Sequence, residues 1–120
     1  MKKTLQLESI STWLPTNRKP IIISGPCSAE TENQMVTTAK QLAATGKVHA
    51  LRAGIWKPRT RPGQYEGAGV EGLKWLVQAK KETGLPITTE VANASHAEAC
   101  LKAGVDILWE ANTYTHPLYK

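Results

Sequence analysis

The densest chemistry in this sequence lies in one stretch, Arg52-Ala-Gly-Ile-Trp-Lys57-Pro58-Arg59-Thr60-Arg61-Pro-Gly. Four cations and a hydroxyl fall within ten residues, on a backbone that Pro58 and Pro62 pre-order. Guanidinium forks pair bidentately with phosphate or carboxylate oxygens, and lysine adds a point charge. The stretch therefore reads first as an oxyanion site. A solvated basic loop is the plain alternative, and a nucleic-acid patch with Trp56 and Tyr65 as stacking platforms is the weaker one. Cys27, in Gly25-Pro-Cys-Ser-Ala-Glu30, offers a thiolate as nucleophile or soft metal ligand, or else simply packs. Glu90 is the carboxylate whose placement matches theirs.

Other patterns carry less. Gly67-Ala-Gly69-Val-Glu-Gly72 fits the dinucleotide pattern GxGxxG, but that motif must leave a strand directly, and here thirteen loop residues intervene. The match is read as glycines shared between a loop end and a helix start. His96 and Cys100, four apart, could share a metal, although a helical surface pair is the simpler reading. His49 reads as strand packing, and His116 lies in a tail that the pattern does not place.

The elements that must position these residues alternate regularly. Strands are expected over 20–24, 47–53, 85–91 and 105–109, the first closed by Gly25-Pro26. A helix begins near Thr31, with Thr31 and Gln34 as a capping box and Met35, Val36, Ala39, Leu42 and Ala43 at helical spacing, and it ends at Thr45-Gly46. A second helix spans 70–83, with Val70, Leu73, Leu76 and Val77 on one face and Gly84 as its stop. A third is capped by Asn93 or Ser95, the latter with Glu98 in a capping box, and closes at Gly104.

Strands separated by helices, at intervals too long for hairpins, mean consecutive right-handed βαβ units and a parallel sheet, an α/β fold. The strands read as apolar on both faces. In such folds ligands meet the loops leaving the C-terminal strand ends. Cys27, Arg52 to Arg61 and Glu90 all belong to such loops. Residues 1–19 read as an N-terminal extension, with Leu5, Leu7 and Ile10 placed to pair as an extra strand. Four units are about half of the roughly 250 residues of a (β/α)8 barrel, and a half-barrel leaves two strand edges that invite association.

Composition narrows the class. The chain has 120 residues, 41% hydrophobic, with a formal net charge of +5. Its length excludes two full-size domains, and no apolar run approaches the roughly 20 residues of a membrane span. Two cysteines without a Cys-x-x-Cys pair argue against a disulfide scaffold and a zinc ribbon. Met1-Lys2-Lys3 is followed by alternation rather than an apolar stretch, which reads as a cytoplasmic start.

Taken in order, Gly25-Pro-Cys-Ser-Ala-Glu30, Arg52-Ala-Gly-Ile-Trp-Lys-Pro-Arg-Thr60, Thr89-Glu90-Val91 and Asp106-Ile-Leu-Trp109 closely resemble 3-deoxy-D-arabino-heptulosonate 7-phosphate (DAHP) synthase, in the class often fused to chorismate mutase. The resemblance runs over about residues 20–109. Its Lys-Pro-Arg-Thr element is specific, because the sister synthase of 3-deoxy-D-manno-octulosonate 8-phosphate typically carries an Ala-Asn-Arg-Ser-like stretch there.

The resemblance implies the N-terminal half of a TIM (β/α)8 barrel, with 20–120 a (β/α)4 portion that is apparently truncated. It implies condensation of phosphoenolpyruvate with erythrose 4-phosphate, the first step of the shikimate pathway to the aromatic amino acids. A divalent metal (Mn, Fe, Co or Zn) would polarise the aldehyde. By the same resemblance Cys27 would be a metal ligand and Arg52 and Lys57 would hold phosphoenolpyruvate, with Lys57 assisting proton transfer. Pro58, Arg59 and Thr60 would receive the erythrose phosphate, and Glu90 would order the phosphoenolpyruvate end or a water.

Two departures stand out. The family's remaining metal ligands come from later strands, and after Trp109 the family's Ile-Gly-Ala-Arg-Thr-Thr is replaced by Glu110-Ala-Asn112-Thr, with Asn112 where an arginine is expected. The chain alone is therefore expected to be weak or inactive as an enzyme. A homo-oligomer or association through the open sheet edges is expected, and a non-catalytic half-barrel that binds phosphorylated metabolites, or needs a partner chain, is the alternative.

Overall fold

Two of the three described helices start where a side chain satisfies one of their first free amides. In the computed structural model, which describes residues 20–56, 63 and 67–110, Thr31 caps helix α1 (Glu32–Ala44) by accepting the Gln34 amide at 3.0 Å. The Gln34 carboxamide reaches back one residue further than a capping box requires, taking the Glu30 N–H at 2.7 Å. Helix α2 (Val70–Thr83) enters from Gly69 and stops at a left-handed Gly84. Helix α3 (Ala94–Ala103) is capped by Asn93, whose side chain accepts the His96 N–H. Ser95 therefore lies inside the helix, and Glu98 pairs with Lys102 at 3.2 Å instead of completing a cap.

The strands are β1 (Ile23–Ser24), β2 (Ala50–Arg52), β3 (Ile87–Val91) and β4 (Ile107–Glu110). They form one sheet in the order β1-β2-β3-β4, every pair parallel. Sequential parallel order with a helix in each crossover is the winding of the N-terminal half of a (β/α)8 barrel. The ladders are shorter than the apolar runs that announced them. Around Ile22, for example, the His49 amide donates to the Ile22 carbonyl while the His49 Nδ1 takes the Ile22 N–H at 2.9 Å. His49 thus stitches the start of the sheet with its ring.

The register assigns two unlike faces. Leu51 lies beside Ile87 and Thr89 beside Leu108. Leu51, Ala53 and Ile87 share a core with Met35 and Ala39 of α1, Leu73, Leu76 and Ala79 of α2, and Cys100 of α3. At about 25 cal/mol per Å² of apolar surface, this helix-side burial is the main stabilising term. The other face carries Arg52 beside Thr88, and Glu90 beside Trp109. Both faces were expected to be apolar; this one sets Arg52, Thr88 and Glu90 among Ala50, Ile107 and Trp109. Val70, expected on the buried stripe of α2, is 58% exposed.

At the N-terminal end of the sheet, Asp106 accepts the Ile87 N–H at 2.9 Å and pairs with Lys80 at 3.0 Å. Residues 1–19, 57–62, 64–66 and 111–120 fall outside the described part, and with them Lys57, Pro58, Arg59, Thr60, Asn112 and His116. Among the described residues no helix is long and apolar enough to cross a membrane.

Candidate active site

The C-terminal ends of β1, β2, β3 and β4 lie on one side of the sheet because all four strands are parallel. Gly25 ends β1 against the Arg52 carbonyl, so close that a Cβ there would collide with the Arg52 backbone. Beyond it the Ala29 N–H donates to the Gly54 carbonyl at 3.0 Å, and the Gly54 N–H to the Pro26 carbonyl at 3.4 Å. The loop that carries Cys27 is thereby bound to the loop that leaves Arg52. Cys27 is exposed between these two attachments.

Arg52 projects from the face opposite the helices. Its guanidinium carbon lies 5.8 Å from the centroid of the Trp109 ring. The indole N–H donates to Thr88 Oγ1 at 2.6 Å, and the Thr88 hydroxyl donates to the Ile107 carbonyl at 2.8 Å. The hydroxyl is fully buried, so each of these bonds satisfies a group that water does not reach. Arg52 is thus held above an aromatic plane whose tilt is fixed by Thr88. Glu90, half-buried, sits next to Trp109 in the register.

The exit from β2 is built around Ile55 and Trp56. The Gly69 N–H donates to the Ile55 carbonyl at 2.7 Å, Gly67 lies against the same carbonyl, and Gly72 lies against the Ile55 side chain. The GxGxxG glycines therefore serve close packing of the start of α2 and the residues before it against Ile55 at the exit of β2, as a chance match would allow. Trp56 stacks on His96 with ring centroids 4.0 Å apart and planes 7° from parallel.

His96 and Cys100 have separate surroundings and do not form a shared pair. The His96 Nδ1 already accepts the Ala92 N–H at 3.2 Å, and burial holds its pKa below the ordinary histidine value. Cys100 is fully buried in the core, where burial pushes its thiol pKa up. Among the described residues no three His, Cys, Asp or Glu side chains are grouped to hold a metal. Cys27 is the right donor type for a soft divalent ion, but a single thiol does not make a site.

Sequence patterns assign Thr88 no role, Trp109 only a place in a motif, and His96 a metal-sharing role with Cys100 that the structure does not support. Their partners lie 21 to 57 positions away, as Trp109–Thr88, Trp56–His96 and Arg52–Trp109, and no local spacing signals such contacts.

A family model described as the DAHP synthetase I family matches residues 10–108. The chain belongs to that family. A phospho-2-dehydro-3-deoxyheptonate aldolase from Thermotoga maritima is 42% identical over 69 residues, covering 58% of this chain and 20% of that protein. A 2-dehydro-3-deoxyphosphooctonate aldolase from Syntrophotalea carbinolica is 34% identical over 98 residues, covering 77% of this chain and 35% of that protein.

Among solved structures, the crystal structure of the phospho-2-dehydro-3-deoxyheptonate aldolase (DAHP synthase) of Thermotoga maritima superposes with a TM-score of 0.72 at 31% identity. It is matched over 82% of this chain and 28% of that one. The chain thus spans about a fifth to a third of these family members. The motifs around Cys27, Arg52 and Glu90 lie within the DAHP synthetase I match, which ends one residue before Trp109.

Proposed function

We propose that residues 20–120 are the N-terminal (β/α)4 portion of a DAHP synthase and furnish one side of its phosphoenolpyruvate and erythrose 4-phosphate sites. The observation that supports this most is Arg52: a guanidinium at the C-terminal end of a central strand, braced by Trp109 and adjoining the loop of Cys27. In this reading Arg52 and Lys57 hold the anionic groups of phosphoenolpyruvate, and Lys57 assists proton transfer. Pro58, Arg59 and Thr60 receive the phosphate of erythrose 4-phosphate, and Glu90 orders the phosphoenolpyruvate end or the water consumed. One carbon–carbon bond forms between the enol carbon and the aldehyde carbon, and phosphate leaves. Holding both substrates in line removes much of the entropic barrier to that step.

A divalent metal (Mn, Fe, Co or Zn), when bound, would supply Lewis-acid polarisation of the aldehyde. Cys27 offers one donor to it, and the others would come from outside the described residues. Among the described residues β1 and β4 are the edges of the sheet, and edge strands favour association with further strands, from a second copy or another chain. The cytoplasm is the compartment this reading implies.

The aldose is the point at which a second reading enters, because several relatives carry the octonate aldolase name. The stretch Lys57-Pro58-Arg59-Thr60 favours erythrose 4-phosphate.

The test is ligand-linked stability together with turnover. Phosphoenolpyruvate at a hundred times its dissociation constant should stabilise the fold by about 2.7 kcal/mol. The isolated chain with both substrates and a divalent cation should release little phosphate. Absence of stabilisation by phosphoenolpyruvate, with salt-dependent binding of duplex DNA in its place, would overturn the proposal.

A further inference from the structure

We infer that His96 is a positioning residue: it locks Trp56, the last described residue before the cationic stretch, at the exit of β2. Its link to substrate rests on the function proposed above; its link to Trp56 does not.

The ring of His96 is fixed from two sides. Its own backbone is held by the Asn93 cap, the His96 N–H donating to Oδ1 at 2.9 Å. Its rotation is held by the Ala92 N–H, which donates to Nδ1 at 3.2 Å. A neutral imidazole that accepts at Nδ1 carries its proton on Nε2, and burial favours that neutral form. The ring then lies flat on the Trp56 indole, 4.0 Å away and 7° from parallel.

Trp56 is bracketed on another side by α2. A Cβ on Gly69 would stand 3.6 Å from the indole Nε1, and the Gly69 N–H is bonded to Ile55 immediately before Trp56. The stretch that begins after Trp56 and returns at Gly67 therefore leaves and re-enters at one anchored point. Through its bond to the Ala92 N–H, His96 ties this point to the end of β3, where Glu90 lies, beside the bond of the Thr89 hydroxyl to the Ala53 carbonyl. The neighbouring catalytic candidates are thereby held in a common frame by a ring that itself touches no substrate.

Three variants separate stacking from hydrogen bonding. His96→Phe keeps the ring and loses the acceptor, His96→Asn keeps an acceptor and loses the ring, and His96→Ala loses both. The readouts are the Trp56 indole N–H resonance, identified with Trp56→Phe, amide exchange at residues 54–56, and phosphoenolpyruvate affinity. In His96→Ala and His96→Asn the resonance should move, exchange at 54–56 should quicken, and affinity should fall about two- to tenfold, the range expected for one lost aromatic pair. His96→Phe should restore all three.

An unmoved resonance and unchanged exchange in folded His96→Ala would overturn the inference, as would a folded His96→Phe that restores neither. If the unaltered chain binds no phosphoenolpyruvate, the proposed function fails, and the resonance and exchange alone decide the role of His96.

Discussion

Arg52 and Trp109 meet across an intervening strand: the guanidinium carbon stands 5.8 Å from the indole centroid, with β3 between β2 and β4. A cation over an aromatic face contributes about 0.5–1 kcal/mol where water reaches it, and Trp109 is 39% exposed. The contact therefore matters more for aiming a charge than for holding the fold. What holds the indole is Thr88, whose buried hydroxyl receives the Trp109 N–H and passes its own proton to the Ile107 carbonyl.

Replacing that hydroxyl by a methyl of equal size, Thr88→Val, strands a Trp N–H and a carbonyl while leaving packing intact. The expected cost is about 1–3 kcal/mol, read from urea unfolding, together with weaker phosphoenolpyruvate binding as Arg52 loses its support. A variant as stable and as tight as the parent would show that Thr88 only fills space.

Gly25 and Gly46 make a controlled comparison. Gly46, at φ +69°, has open space where a Cβ would go, so Gly46→Ala should cost only the left-handed backbone term, about 1–2 kcal/mol. At Gly25 the same Cβ would collide with the Arg52 backbone, which cannot yield without parting β1 from β2. Gly25→Ala should cost about 3 kcal/mol or more, and equal urea midpoints for the two variants would contradict the close approach.

The two thiols should react in two phases. Cys27 is exposed and Cys100 fully buried with its pKa pushed up by desolvation. Ellman's reagent should therefore modify one thiol quickly and the second only on the timescale of unfolding. Cys27→Ser should remove the fast phase, and its survival in that variant would reverse the assignment.

Stability should also respond to pH through His96. Burial lowers its pKa in the fold below the ordinary 6.5, so the unfolded chain binds the proton first. Stability is then greatest above that value and declines as pH falls below it, levelling off below the folded pKa. His96→Phe should flatten this part of the profile between pH 7 and 5, against the background of the carboxylates. Superimposable profiles would mean that the ring is not desolvated as described.

Much of this architecture was legible beforehand because it is written in local chemistry. Thr31, Gly84 and Gly104 punctuate helices through caps and left-handed turns, and the alternation of strands with helices fixes parallel order. Cys27, Arg52 and Glu90 fell at strand ends for the same reason. Strand lengths were overestimated because apolar runs such as 20–24 mark burial, whereas a ladder needs partners, and there only Ile23–Ser24 finds them.

The polar residues of the face opposite the helices are hard to recognise in the sequence for a related reason. Parallel strands look uniformly apolar until the register shows Arg52, Thr88, Glu90 and Trp109 on one side. The Asn93 cap was separable from Ser95 only by geometry, since both residue types serve equally. The Trp56–His96 stack had no local signature at all.

The most direct measurement is calorimetric titration of phosphoenolpyruvate into the folded chain and into Arg52→Gln, which keeps a polar end on a shorter side chain and removes the charge. Loss of one charge-assisted contact, about 1.5–3 kcal/mol, should weaken binding by roughly ten- to a hundredfold. Equal affinity in the two proteins, or no binding to the unaltered chain, would contradict a phosphoenolpyruvate site at the ends of these strands.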